Sequence, residues 1–256
     1  MDEVPLSGGS VAKVVRIGNT VRRSRDRWSA AVHGVLTHLE RVGFEGIPRF
    51  LGVDAEGREI LSWIEGTPSI RPWPEPLLHD EGLRSVVSLV RRCHDALSSY
   101  RPPPDAEWFT GAAPVGAGQI VCHGDLGPWN IVWRDDDPVG LIDWDFTAPA
   151  SPLVDLAWLA FSVVPMQSDE HCLGCGFDEI PDRRQRLTIL CDTYGSYSPG
   201  EVVKQAEVNW RHDIDLIVER GPTGQTPWAG FLARRLDNHG QELLRWLDHH
   251  RFDLLL

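Results

Sequence analysis

Residues 121–145 read VCHGDLGPWNIVWRDDDPVGLIDWD. A short apolar lead-in delivers the chain to His123, Gly124 and Asp125, and Asn130 follows in the same loop. Two β-rich runs, Ile131–Trp133 and Val139–Ile142, flank Arg134–Pro138, whose Asp and Pro content marks a turn. The pattern predicts a hairpin that ends on Asp143. A hairpin returns the chain to its start, so Asp143 is expected near Asn130 and Asp125. Carboxylates at short range repel one another. A hard divalent cation resolves the conflict, because Mg²⁺ favours oxygen ligands such as Asp and Asn and retains several waters.

Length and charge set the frame. At 256 residues the chain exceeds the usual single-domain size, and two lobes with a cleft between them are expected. A hydrophobic fraction of 42% is ample for a buried core. The formal charge of −12 argues against a nucleic-acid partner. The same acidity either steers a cationic small molecule or simply keeps the protein soluble. No run approaches the ~20 apolar residues of a membrane span. The start, MDEVPLSGGS, lacks the basic and apolar regions of a signal peptide. The expectation is a cytoplasmic protein with no membrane contact; the sequence sets no oligomeric state. The five cysteines, an odd number, suggest no disulfide framework. His171, Cys172 and Cys175 have zinc-like spacing, but no second pair completes four ligands.

The series HGDxxxxN, hairpin, IDWD resembles the catalytic and metal-binding segment of the aminoglycoside phosphotransferase family, part of the wider protein-kinase-like group. Catalytic loops of that group place an Asp and an Asn at this spacing, with a metal-binding Asp after a short hairpin. Asp143-Trp144-Asp145 stands where protein kinases have Asp-Phe-Gly, which points to the small-molecule kinases of the group. The specific motifs lie within 123–155, and the resemblance runs over nearly the whole chain. It implies an α+β, two-lobed protein-kinase-like fold. An N-lobe over 1–66 would hold a small antiparallel sheet, a Gly-rich loop and one helix. A mainly helical C-lobe over 67–256 would hold the catalytic loop, the metal site and the substrate helices. The implied reaction is Mg²⁺-dependent transfer of the γ-phosphoryl group of ATP to a hydroxyl of an aminoglycoside-like compound, sugar or amino alcohol. No side chain separates ATP from GTP. Asp125 would act as base or orienting group for that hydroxyl, His123 would brace the loop, and Asn130 and Asp143 would hold Mg²⁺. Asp155 would either bond the loop's backbone or cap the next helix. The rival is a catalytically inactive, kinase-like nucleotide- or ligand-binding module.

The first lobe departs from the family. Ser7-Gly8-Gly9-Ser10 reads as a Gly-rich loop whose N–H groups could approach phosphates, with a plain turn as the alternative. Gly18-Asn19 makes a tight turn between Val11–Ile17 and Thr20–Arg23. Kinases carry a Lys on this third strand, paired with a Glu on the next helix. Here the strand offers Arg22 and Arg23, and the helix carries His33. An Arg binds phosphate through its planar fork, and strand alternation lets only one of the two face the cleft. The helix is expected after Trp28, with Ser29 as N-cap and Val32, Val35, Leu36 and Leu39 turned inward. Gly46–Val53 and Glu59–Ile64 read as strands. By the resemblance, backbone groups of Ser62, Trp63, Ile64 and Glu65 would meet the adenine edge. Thr67–Pro76 reads as a linker, and Leu83 to Leu97 follow helical spacing. Helices are expected over Arg183–Tyr194, Glu201–Val218 and Pro227–His250, the last with Thr226 as N-cap. No side chain there selects the acceptor.

Overall fold

A computed structural model describes residues 3–6, 14–69 and 71–256, so Ser7, Gly8, Gly9 and Ser10 lie outside the described residues. Short β-branched runs divided by tight turns build the first sheet. β1 (Val4–Leu6) pairs with β2 (Val14–Ile17), and Gly18, at φ 59°, turns β2 into β3 (Thr20–Arg23). Then come α1 (Ser29–Arg41), β4 (Phe50–Val53) and β5 (Glu59–Ser62). The strand order is β1-β2-β3-β5-β4, antiparallel throughout. Both later strands are shorter than expected. Pro48 has no N–H to give to a ladder, and the first of them begins only at Phe50. Val32, Val35, Leu36 and Leu39 are buried on one face of α1, as their spacing predicts. Ser29 is not the N-cap. Its Oγ accepts from Asp26 N at 2.9 Å, so it closes the turn in front of the helix, and Trp28 takes the cap position.

The expected linker contributes a strand, β6 (Thr67–Pro68). It is followed by the short α2 (Glu75–Leu78), the long α3 (Asp80–Leu97) and a small hairpin of β7 (Glu107–Trp108) and β8 (Gly111–Ala112). β9 (Ile120–Cys122) leads to β10 (Ile131–Arg134) and β11 (Asp137–Leu141), the predicted hairpin. Its turn is tighter than Arg134–Pro138 suggested, because Asp135 adopts φ 55° and only Asp135 and Asp136 lie outside the strands. Pro138 sits on β11, an edge strand, where a missing N–H breaks no ladder. β6 pairs with the other side of β10, Pro68 opposite Val132 and Thr67 opposite Trp133, which removes an open edge. β12 (Ala148–Ala150) pairs with β9, and α4 (Pro152–Val163) follows.

Contacts gather the chain into two units, Met1–Ser69 with Ser88–Asp155, and Ile70–Val87 with Leu156–Leu256. The first is centred on Val35, Leu39, Val90, Ile131, Leu141 and Trp144, all nearly inaccessible. The second contains α5 (Asp169–Gly174), α6 (Arg183–Tyr194), α7 (Pro199–Arg220), α8 (Trp228–Ala233) and α9 (Leu236–Leu255). α6 has the expected limits, set by Asp182, which accepts from Gln185 N at 2.9 Å, and by Gly195 at φ 81°. α7 opens on a reciprocal Ser198–Glu201 capping box. The single helix expected over Pro227–His250 is two. Arg235 adopts φ 56°, which a right-handed helix cannot continue, and Pro227 rather than Thr226 holds the cap position. The result is an α+β fold with an antiparallel sheet at its amino-terminal end and helices over most of the remainder. Among the described residues no helix is long and apolar enough to cross a membrane.

Arg186 anchors the second unit. It is 3% exposed and donates to the carbonyls of Leu77 (2.8 Å), Leu78 (2.9 Å) and Val163 (2.8 Å). Burial pulls its pKa down to about 10, still charged at neutrality. Arg186→Met keeps the stem's bulk but strands three carbonyls, each costing about 1–3 kcal/mol when buried unpaired. We expect about 3 kcal/mol or more of destabilisation. Urea unfolding of wild type and variant measures it, and a change under about 0.5 kcal/mol would refute the anchoring role.

Candidate active site

β9 ends at Cys122 and the chain turns sharply through His123, Gly124 and Asp125. Gly124 has φ 83°, and a Cβ there would lie 2.1 Å from Phe146 O, so this turn admits only glycine. The turn hangs on Asp155, in the first turn of α4 and fully buried. Its carboxylate accepts from His123 N at 2.7 Å and Gly124 N at 2.8 Å, and lies 3.2 Å from His94 Nε2. Of the two roles expected for Asp155, the structure gives it the bond to the loop's backbone. Burial pushes its pKa up, but His94 and the loop N–H groups outweigh burial and hold it below the usual range.

His123 is 2% exposed and uses both ring nitrogens inside the loop. Nε2 lies 2.9 Å from Ile142 O and Nδ1 3.3 Å from Asp125 N. These partners assign the neutral tautomer with the proton on Nε2, donating to Ile142 O and accepting from Asp125 N–H. Burial lowers its pKa, which keeps it neutral. Asn130, on a short 3₁₀ turn over Pro128–Asn130, donates through Nδ2 to Asp125 O (2.8 Å) and to its carboxylate (3.0 Å). Trp129 Nε1 reaches the same carboxylate oxygen at 3.4 Å. The hairpin closes as its pattern predicts, and Ile142 N donates to Asn130 O at 2.9 Å, which brings Asp143 beside Asn130.

Asp143 adopts φ 61°, a left-handed conformation that Asp tolerates better than most residues. Its side chain is 41% exposed. Desolvation raises its pKa to about 6, assisted by Asp145 and Glu59 and opposed by Arg23. A carboxylate crowded by like charge is a ready partner for a cation. With Asn130 Nδ2 spent on Asp125, Asn130 Oδ1 and the Asp143 carboxylate remain as an all-oxygen donor pair. Among the described residues no group of three or more His, Cys, Asp or Glu is placed to hold a metal. A cation here would take two protein ligands and complete its shell with phosphate oxygens and water, a composition that suits Mg²⁺.

The two arginines of β3 part company. Arg22 Nη1 donates to Thr20 Oγ1 at 2.7 Å, and its Nε lies 3.8 Å from Asp54, so it serves the β4–β5 turn. Arg23 is 7% exposed and faces Asp143. Its Nε bonds Glu59, its Nη2 lies 2.9 Å from Asp145 and its Nη1 3.4 Å from Asp143. Burial alone would lower its pKa, but Asp145, Glu59 and Asp143 together raise it. Glu59 escaped the sequence reading, and Asp145, visible there as the end of the Asp143-Trp144-Asp145 motif, had no settled role. The available signal for Glu59 was its place two residues before Leu61 on β5, which put a carboxylate on a buried face. Of the residues assigned to the adenine edge, Ser62 N donates to Arg49 O and Trp63 N to Asn19 O, both at 2.9 Å. Trp63 stacks under the Arg16 guanidinium at 4.1 Å, and Ile64 packs against Gly140, where a Cβ would lie 2.8 Å away.

A family model described as a phosphotransferase enzyme family matches residues 105–174. The trifolitoxin immunity protein of Rhizobium leguminosarum bv. trifolii is 36% identical over 203 residues, 76% of this chain and 74% of that protein. Among solved structures, the amicoumacin kinase hAmiN in complex with AMP-PNP, Ca²⁺ and Ami superposes with a TM-score of 0.65. It has 10% identity over 95% of this chain and 88% of that one. The gentamicin complex of APH(2″)-IIa gives 0.60, with 13% identity over 100% of this chain and 94% of that one. The chain belongs to the aminoglycoside phosphotransferase family of small-molecule phosphotransferases.

The Asp155 anchor has a pH signature. Its folded-state pKa is depressed, so its stabilisation is complete above the ordinary Asp value of about 4. That stabilisation is lost as pH falls through the folded value. Thermal unfolding followed from pH 7 downwards should show the wild-type midpoint dropping below about pH 4. Asp155→Asn should start lower and show a flatter acid limb. An equally steep limb in the variant would remove Asp155 as its source.

Proposed function

We propose that this protein transfers the γ-phosphoryl group of a purine nucleoside triphosphate, with Mg²⁺, to a hydroxyl of a small molecule. The observation that carries the reading is the Asp125 carboxylate, held by Asn130 and Trp129 on a loop pinned by Asp155, with the hairpin bringing Asp143, the partner of Arg23, next to Asn130. Asp125 orients the acceptor hydroxyl and takes its proton. Phosphoryl transfer passes through a loose transition state, so positioning and charge compensation supply most of the catalysis. Asp143 and Asn130 Oδ1 would hold Mg²⁺, which would supply positive charge against the charge that develops on the transferring phosphoryl group. Arg23 supplies the cationic fork on the phosphates. His123, kept neutral, holds the loop's shape and moves no proton. With the N–H groups of Ser62 and Trp63 spent inside the sheet, those of Ile64 and Glu65 are the ones offered to the base.

The amicoumacin kinase, captured with AMP-PNP and a divalent ion, supports the nucleotide and cation half of this reading. The 36% identical relative, a trifolitoxin immunity protein, is in keeping with an acceptor that is itself a toxic compound. A second reading, a nucleotide- or ligand-binding module without turnover, draws on one feature. Arg23 is already engaged by Asp143, the residue assigned to the metal.

Thermal unfolding with and without Mg²⁺ and ATP, and again with GTP, tests the nucleotide site. Saturation at 100 times Kd adds about 2.7 kcal/mol, a midpoint rise of about 2–4 °C per kcal/mol for a chain this size. The rise should require Mg²⁺ and vanish in Asp143→Asn; no rise with either nucleotide would sink the reading. Asp125→Asn should abolish transfer while keeping the ligand-induced rise, which separates an enzyme from a binding module. Arg23→Ala should weaken nucleotide binding and Arg22→Ala should not. Equal effects would mean that the two side chains are not divided between site and surface.

A further inference from the structure

Three departures from the kinase pattern meet at one point in the first unit. β3 carries Arg23 in place of Lys, α1 carries His33 in place of Glu, and Asp145 stands in place of the Gly of Asp-Phe-Gly. The structure joins them. Glu59, directly across the β3–β5 ladder from Arg23, is fully buried and uses both carboxylate oxygens: Oε1 accepts from Arg23 Nε, and Oε2 meets His33 Nε2. The His33 ring is itself fixed, stacked on Phe50 of β4 with centroids 3.7 Å apart and planes 14° apart. Burial pushes the Glu59 pKa up, but His33 and Arg23 outweigh it and keep the carboxylate charged.

We infer that Glu59, oriented by His33, is the positioning residue for the phosphate-binding cation of this site. It replaces a helix carboxylate with one supplied from the neighbouring strand. The replacement follows from the shape of the cation. A lysine ammonium needs one counter-charge to fix it, whereas a guanidinium must be fixed in rotation as well as in place. Two corners of the Arg23 fork are tied, Nε to Glu59 and Nη2 to Asp145 at 2.9 Å. The third, Nη1, is left on the longest of the three contacts, 3.4 Å from Asp143. That corner points at the residue assigned to the metal and is the one a phosphate oxygen would take. Arg23, His33, Glu59 and Asp145 thus form one device.

This inference rests on the nucleotide reading, and direct binding separates the two. Calorimetric Kd values for Mg-ATP and for adenosine are measured on wild type, Glu59→Gln and His33→Ala, below each variant's unfolding midpoint. Glu59→Gln should weaken Mg-ATP about tenfold, the loss typical of removing an orienting partner, and leave adenosine unchanged. His33→Ala should weaken Mg-ATP in the same direction by less. Adding His33→Glu to Glu59→Gln returns a carboxylate from the helix side and should recover part of the lost affinity. A role in stability alone would lower the unfolding midpoint and leave the Mg-ATP Kd unmoved, which would overturn the inference. If Glu59→Gln does not fold, an unchanged Mg-ATP Kd in His33→Ala overturns it equally. Where wild type prefers GTP, Mg-GTP and guanosine replace Mg-ATP and adenosine. Wild type that binds neither Mg-ATP nor Mg-GTP overturns both readings; wild type that binds one of them, with variants that match it, overturns this one alone.

Discussion

The site depends on one buried carboxylate. Asp155 has no access to water and holds the backbone of His123 and Gly124 in a turn that no residue but glycine can complete at position 124. An uncompensated buried charge costs several kcal/mol. Asp155 avoids that cost with His94 of α3 and two main-chain donors, and those two donors are atoms the loop needs fixed. The desolvation that makes the charge dangerous also makes its bonds strong. His123 then transmits the constraint along the chain, tying the Asp125 amide to the end of the hairpin at Ile142.

From that turn outward, charge is arranged in excess and left incompletely balanced. Arg23 faces Glu59, Asp143 and Asp145, and Asp26 is close enough for Asp145 and Glu59 to raise its pKa further after desolvation. One guanidinium cannot satisfy that many carboxylates. The deficit falls on Asp143, the most exposed of the three side chains bonded to Arg23 and the one whose pKa rises to about 6. A structural ion-pair network would minimise such a deficit. Under the proposed function the deficit would have a use, because an incoming cation would make interactions the protein alone leaves unmade.

How much of this could be read from the chain depends on the range of each interaction. The hairpin, the loop spacing and the inward faces of α1 and α3 follow from local periodicity and turn chemistry, and they were legible. The fold class was legible through the resemblance carried by the HGDxxxxN, hairpin, IDWD series. Ser29, Arg235 and β6 were not. Ser29 has the right side chain for a cap but spends it backward on Asp26, Arg235 breaks a continuous helical pattern by adopting a left-handed φ, and β6 exists only because β10 offers a partner 64 residues away. Glu59 carried only the weak signal of a polar residue in phase with the buried Leu61. In one dimension it is a polar residue at the start of a strand, and only the register against Arg23 turns it into part of a site. Strand alternation did reduce Arg22 and Arg23 to a choice; the sheet made it.

The same geometry shows where part of the net charge is already spent. The formal −12 invited the thought that acidity steers a cationic acceptor. Four of the acids in that total are Glu59, Asp143, Asp145 and Asp155, and all four are engaged by Arg23, His33, His94 or loop amides. Their field is largely spent within a few ångströms. In the second unit, by contrast, burial first and then Arg71 and His239 hold His171 down to about 4. Local balance, not the sum over the chain, is what an acceptor would meet. Family membership leaves that balance free to vary, because function is set by the side chains of a site and not by the fold that carries them.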